Sequence, residues 1–366
     1  MKDLYDIRKK LHRVPEIAFN EFKTQEIILN EFKGISDFKL TKFDPTGLLY
    51  EYSFGDGEYI LFRADMDALP LTEETGCDFK SEHTGTFHAC GHDIHMTVLI
   101  GLMKHVLETK PKLNLLFLYQ PAEEGHGGAK HIINTGIFKL YKIKSAYALH
   151  VSGQFPTGTI GIKPGIVLGI PQEFNIEFHG EAGHVATPQK GKDAFRAAMS
   201  FYQEMNTILC KRFPAQEPVI FHIGKVTAGT VRNITPDYCR FEGTFRCLKQ
   251  EVKEKIVKIM RAVCKSIETS HEVKVNIKLL SSYVPVINDE NLTKAFIERV
   301  PKDVKVVNVE YSMVGEDFGF FTNMYRSVFF WLGADAKGDL HSTTFLPDEK
   351  CIDMGVRVLT QLIIDS

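Results

Sequence analysis

HACGHDIHMTVLIGLMKHVLE, residues 88–108, opens as a turn crowded with ligand-type side chains and closes as an apolar run. His88, Cys90, His92, Asp93 and His95 fall within its first nine positions. A His-rich polar turn is the plain reading of any one of them. Imidazole and thiolate together are the ligands preferred by zinc and its neighbours. The apolar positions from Met96 to Leu107 predict a helix, with Asp93 as its N-cap. That leaves Cys90 and His92 in an extended turn, where side chains two residues apart point the same way and can share a site. His88 is a further candidate for it. His95, inside the helix, fits either a ligand or a hydrogen-bonded core histidine.

Outward from this helix, strand and helix patterns alternate. TGLLYEYSF (46–54) and EYILFRADMD (58–67) read as strands before it, and LNLLFLYQPAEE (113–124) and KSAYALHV (144–151) as strands after it. Such alternation argues for an α/β sheet covered by helices. Three of these strands end in polar residues of catalytic type: Asp65 and Asp67, Glu123 and Glu124, and His150. Sites in open α/β sheets gather at the carboxyl ends of strands, so these groups are placed to converge.

From residue 172 the pattern changes to EFNIEFHGEAG, DAFRAAMSFYQEMNTIL, PVIFHIGKVTAG, DYCRFEGTFRCL, KQEVKEKIVKIMRAVCKSIE and EVKVNIKLLSSY. This β-α-β-β-α-β unit can fold around its own core. The expected fold class is therefore α/β in two domains. Residues 1–171 and 284–366 make a sheet domain, closed by the strand RSVFFWLGAD and the helix CIDMGVRVLTQLII, and residues 172–283 make an inserted α+β domain.

Bulk properties narrow the function. A chain of 366 residues, 44% hydrophobic and 25% charged, has globular composition and is long enough for two cores. Its net charge of −2 leaves no basic footprint for nucleic acid or an anionic membrane, and no apolar run approaches a membrane span. A small-molecule partner is expected. MKDLYDIRKKLHRVPEIAFNEF reads as an amphipathic helix rather than a signal peptide, and the seven cysteines are scattered without disulfide-framework spacing. Both features point to a cytoplasmic protein.

QPAEEG (120–125) places adjacent glutamates after an apolar strand and before a glycine-rich turn, an unusual place for idle charge. One carboxylate of such a pair can bind metal while its neighbour faces the water on that metal, as a metal-activated hydrolase requires. His150, ending AYALH, and His341, in GDLHSTTFLPDE, are further ligand candidates.

ADMDALP, HACGHDIHM, QPAEEG, ALH, GEAGHVATP, RNITPD, GEDFGFF and LHSTTF, in that order along nearly the whole chain, resemble the metal-dependent aminoacylase and carboxypeptidase family. The similarity is to its amidohydrolase branch acting on N-acyl amino acids. Within that branch the C-terminal third looks most like the N-acetyldiaminopimelate deacetylases of lysine biosynthesis, with hippurate or general N-acyl-amino-acid hydrolases as the alternative. The resemblance implies two divalent metal ions, zinc or else manganese, cobalt or nickel. It implies that Cys90 bridges them, that His92 and His150 complete one site and Glu124 and His341 the other, and that Glu123 is the general base. Asp67 would orient a ligand, while Asp65, which replaces a histidine of related branches, is left without a role. The inserted domain would serve as a lid and dimerisation domain. His184 would cross a homodimer interface to polarise the scissile carbonyl, and Asn233 and Arg246 would hold the substrate. Two other readings are a thiol nucleophile at Cys90, which lacks an evident base, and a non-catalytic binding protein, which would not need Glu123.

Overall fold

In the computed structural model, which describes residues 2–364, the chain divides into two compact units. The first holds the residues through Val167, Val286–Tyr311 and those from Asp317 onward, and the second holds Leu168–Pro285 and Ser312–Glu316.

In the first unit, helices α1 (Lys2–Arg13) and α2 (Phe22–Glu31) precede strands β1 (Lys39–Lys42), β2 (Leu48–Tyr52) and β3 (Tyr59–Asp65). Helix α3 (His92–Thr109) then leads to β4 (Asn114–Gln120), α4 (Gly128–Asn134), β5 (Ile143–Ser152), β6 (Thr159–Ile162) and β7 (Gly165–Leu168). In the second unit, β8 (Ile170–His179), α5 (Ala194–Arg212), β9 (Ile220–Ala228), β10 (Tyr238–Cys247), α6 (Gln250–His271) and β11 (Lys274–Ser282) follow. The chain returns to the first unit as β12 (Val286–Asn288), α7 (Glu290–Arg299), β13 (Lys305–Asn308), α8 (Gly319–Thr322), β14 (Ser327–Gly333) and α9 (Lys350–Ile364).

Eight strands of the first unit form one sheet in the order β1-β2-β4-β3-β5-β14-β6-β13, and β7 pairs separately with β12. Strands β4, β3, β5 and β14 are mutually parallel. Every residue of β4, NLLFLYQ, is buried, as expected of a central parallel strand covered on both faces. Helix α3 is buried on nearly its whole circumference and packs against α1 and α9. Gly101 allows that approach, because a Cβ there would lie 2.5 Å from Val356 Cγ2 and 2.9 Å from Leu4 Cδ1.

The start of α3 corrects one expectation. The helix begins at His92, and Gly91, not Asp93, occupies the N-cap, in a left-handed conformation with φ of 80°. A Cβ on Gly91 would fall 2.3 Å from Val151 Cγ2, so only glycine fits. Asp93 lies in the first turn, buried, and accepts a hydrogen bond from Arg8 Nε at 2.8 Å while pairing with His12 Nδ1 at 2.8 Å. Charged donors from α1 converge on one oxygen of this carboxylate, and a buried charge needs such partners.

The second unit has a four-stranded antiparallel sheet, β11-β8-β10-β9. Along β8 alternate residues are buried, the period of a sheet with one covered face, and Phe174, Ile176 and Phe178 pack with Ala197, Phe201 and Ile256 of α5 and α6. Asp193 caps α5 by accepting from Arg196 N at 2.9 Å. Ser312–Glu316 joins this unit because Gly169 N donates to Ser312 O at 2.8 Å, a pairing no local pattern signals. Among the described residues no helix is long and apolar enough to cross a membrane.

Candidate metal centre

The ligand-type residues of the first unit sit at or just beyond the carboxyl ends of its parallel strands. Asp65 ends β3, Glu123 and Glu124 follow β4, His150 lies near the end of β5, and His341 follows β14. Cys90 Sγ is 3.3 Å from His150 Nε2 and 3.3 Å from His341 Nε2. His341 Nε2 is in turn 3.3 Å from Glu124 Oε1. Ligand atoms of Cys90, His92 and His150 lie within 4.8 Å of one another, as do those of Cys90, Glu124 and His341 and those of His92, Glu123 and Glu124. All five ligand candidates thus meet in one cluster, with Glu123 beside them.

Asp67 organises much of it. Its two carboxylate oxygens accept from Glu123 N and Glu124 N, each at 3.0 Å. Its backbone carbonyl accepts from His92 Nδ1 at 2.8 Å. A carbonyl only accepts, so Nδ1 carries a proton, and loss of the Nε2 proton would leave that nitrogen's lone pair free to ligate. His150 is set the same way, donating from Nδ1 to Val151 O at 2.8 Å. Ala122 holds a left-handed φ of 56°, which is costly for a residue with a Cβ. It is fixed by hydrogen bonds from its N–H to Glu21 Oε1 and from Gly128 N to its carbonyl, both at 2.9 Å. This kink turns the chain from β4 so that Glu123 and Glu124 enter the cluster. His341 has a left-handed φ of 63° and is anchored by its own N–H donating to Ala89 O at 2.9 Å.

The donor set fits a divalent cation. His92 Nε2 and Glu124 Oε1 are buried without a hydrogen-bond partner, a costly arrangement for a protein to hold empty. Burial, with the charges of Glu124 and Glu123, holds the Cys90 thiol well above its ordinary range. A thiol nucleophile needs the opposite, an environment that favours thiolate, whereas a cation bound by the same carboxylates would stabilise it. Burial, reinforced by His95, keeps His150 neutral and therefore able to ligate. Burial also opposes charge on His92, but Asp65 and Asp67 outweigh it and push its pKa up to about 10, so a metal here displaces a proton.

Two nearby histidines stay outside the ligand set. His95 uses both nitrogens, Nδ1 with Asp65 Oδ1 at 2.6 Å and Nε2 accepting from Val151 N at 2.9 Å, which makes it the packed core histidine of the two readings. His88 is buried with neither nitrogen partnered, and it faces His12 with ring centroids 6.4 Å apart.

Several supporting residues escaped sequence reasoning. Buried Arg63 donates to Gln120 Oε1 at 2.9 Å, Asp65 Oδ2 at 2.7 Å and Asp317 Oδ1 at 2.8 Å. Asp317 also accepts from Ala129 N at 2.8 Å, and its own N–H donates to Glu123 Oε1 at 3.3 Å. Asp65 therefore has a structural place between Arg63 and His95. The signals available were the polar Arg63 inside an apolar strand and the acidic pair in GEDFGFF.

His184, Asn233 and Arg246 belong to the second unit. His184 forms a β-bridge with Ile234, and Val185 N donates to Asn233 O at 3.2 Å, which sets His184 and Asn233 on paired, exposed loops. His184 Nδ1 accepts from Ala186 N at 3.1 Å, so in neutral form its proton sits on Nε2 and is free to donate. Arg246, half-buried on β10, donates from Nη1 to Met313 O at 2.8 Å.

Known proteins share this architecture. A protein named N-acetyldiaminopimelate deacetylase from Shouchella clausii (strain KSM-K16) is 37% identical over 359 residues, covering 97% of this chain and 96% of its own. One of the same name from Lactobacillus acidophilus is 39% identical over 374 residues, covering 100% and 98%. The crystal structure of Bacillus subtilis YXEP, described as a dinuclear metal binding peptidase from the M20 family, superposes with a TM-score of 0.85 at 27% identity, covering 99% of this chain and 97% of that one. The description Peptidase family M20/M25/M40 matches residues 61–365, five-sixths of the sequence, and the chain therefore belongs to that family of hydrolases.

Proposed function

We propose that the chain is a dinuclear-metal amidohydrolase that converts N-acetyl-L,L-diaminopimelate to L,L-diaminopimelate and acetate. The observation that carries this reading is near full-length similarity to proteins bearing that name, joined to the Cys90 cluster. Cys90 would bridge two divalent ions, with His92 and His150 at one position and Glu124 and His341 at the other. When bound, such ions activate water and polarise the substrate carbonyl. Glu123 takes the proton of the attacking water and returns it to the leaving amine. His184 stabilises the developing oxyanion through Nε2–H. Asn233 and Arg246 hold the substrate, the guanidinium pairing with a carboxylate.

In this reading the inserted domain is a lid and a dimerisation surface, and His184 serves the site of the partner chain in a homodimer. A mixture of His184→Ala and Glu123→Gln chains that exchange subunits would then regain activity at hybrid sites. No recovery despite proven exchange would return His184 to its own chain. The free cysteines among the described residues accord with a cytoplasmic enzyme. The metal, from zinc, manganese, cobalt or nickel, is assigned by reconstituting stripped protein with one ion at a time.

The substrate has its own test. Diaminopimelate carries a second ammonium and carboxylate at its far end, and a pocket that pairs them rejects analogues leaving its polar groups unsatisfied, by about 10⁴-fold. N-acetyl-L,L-diaminopimelate is expected to give a far higher kcat/KM than N-acetyl-norleucine or hippurate. Equal or better turnover of either analogue ends the diaminopimelate assignment and leaves a general N-acyl-amino-acid hydrolase.

A further inference from the structure

A second cluster of ligand-type side chains lies in the first unit, built from residues the reaction does not use. His12, on α1, has its Nε2 3.3 Å from Glu73 Oε1, and Cys77 Sγ is 3.4 Å from the same oxygen. The three ligand atoms lie within 4.8 Å of one another. In a tetrahedral zinc site with bonds of about 2.0–2.3 Å, ligand atoms are spaced by about 3.3 Å for N and O and about 3.5 Å for S and O. The observed separations match.

Two of the three ligands are also aimed from behind. Asp93 Oδ2 holds His12 Nδ1 at 2.8 Å, the carboxylate–histidine arrangement that orients metal-binding imidazoles. Ser81 N donates to Glu73 Oε2 at 2.6 Å, which turns the other oxygen toward His12 and Cys77. The Thr75 hydroxyl, bonded to Glu73 Oε1, stands beside the cluster as a further oxygen. His12 is buried, while Cys77 is part-exposed and gives solvent a way in.

We propose that His12, Glu73 and Cys77 form a separate mononuclear site for a zinc-like divalent cation. The ion would tie α1 to the 73–77 loop and, through Asp93, to the first turn of α3. Cys77 would bind as thiolate and His12 as neutral imidazole, so uptake releases two protons. The competing state is a His12 imidazolium held between Asp93 and Glu73 with no metal.

Full-length protein loaded with zinc and desalted decides between them. Metal analysis of the wild type and Cys77→Ser should differ by one ion per chain, with amidase turnover unchanged within about twofold because Cys77 takes no part in the reaction. In the cobalt form, the difference spectrum between the two should contain a thiolate-to-cobalt charge-transfer band. Alkylation of the wild type, mapped by peptide mass, supplies a measurement independent of any variant. Zinc should slow labelling of Cys77 by about tenfold or more, with exposed Cys210 as the control. Equal metal content, or equal labelling of Cys77 with and without zinc, overturns the site and leaves a hydrogen-bonded network.

Discussion

Two buried polar clusters stand within a few residues of each other on the same strand ends, and they differ in one respect. Around Arg63, the side chains of Asp65, His95, Gln120 and Asp317 are all partnered among the described residues. Around Cys90, His92 Nε2 and Glu124 Oε1 are buried without a hydrogen bond, with Asp65 Oδ2 at 3.7 Å and His341 Nε2 at 3.3 Å near them, respectively. A closed network stabilises position, because each charge already has its counterpart. An open one stores affinity for a cation that would complete it. Between these two clusters, satisfaction of polar atoms distinguishes what residue type alone does not.

The contrast breaks most severely at Arg63. Arg63→Ala removes the buried cation shared by Asp65 and Asp317, leaving them such partners as His95, Gln120 and Ala129 N, and should destabilise the protein by about 3–5 kcal/mol, read as a fall in urea midpoint. Glu123→Gln should act on the other side of the comparison. It is expected to lower kcat by about 10²–10⁴-fold with metal content near wild type, since in the proposed reading it removes a proton carrier and no ligand. Metal loss in step with activity would instead make Glu123 a ligand. Cys90→Ala should do the reverse and empty at least one metal position.

Glu21 tests the scaffold beneath the Ala122 kink. Burial above all, with the Asp67 charge adding to it, pushes its carboxyl from 4.5 up to about 7. Between those values the folded chain binds more protons than the unfolded chain. Its contribution to stability is therefore greatest below about pH 4.5, falls as pH rises to about 7, and is level above, a change of about 3 kcal/mol. Glu21→Gln, whose amide can still accept from Ala122 N and donate to Thr46, should flatten this part of the profile. An unchanged slope in denaturation midpoints between about pH 5 and pH 8 would remove Glu21 as its source. The smallest effect is expected at Asp67→Asn, which loses one acceptor for the tandem glutamates. Metal affinity should weaken by about 10–100-fold, measured by competition with a chelator, with folding stability little changed.

Much of the architecture was legible because long apolar strands and helices carry their own periodicity. LNLLFLYQ, KSAYALHV and the charged helix from Gln250 all form where their patterns place them. Short elements such as β6, β12 and β13 went unread, since three or four residues hold no period and form only against neighbours already in place. Asp93 shows the same limit at a single residue. Locally it has every property of an N-cap, yet Arg8 and His12, more than 80 residues away in sequence, claim its carboxylate.

Residue type alone marks Cys90, His92, Glu124, His150 and His341 as able to ligate, and short-range apolar patterning sets the strands that end near Glu124 and His150. Which polar groups are consumed and which remain available depends on how the chain folds. His95 and His92 are three residues apart and chemically identical, and what separates them is Asp65 and Val151 N closing both nitrogens of one while Asp67 closes a single nitrogen of the other. Hydrogen-bond satisfaction is a property of neighbours in space, and here those neighbours come from segments as far apart as Arg63 and Asp317.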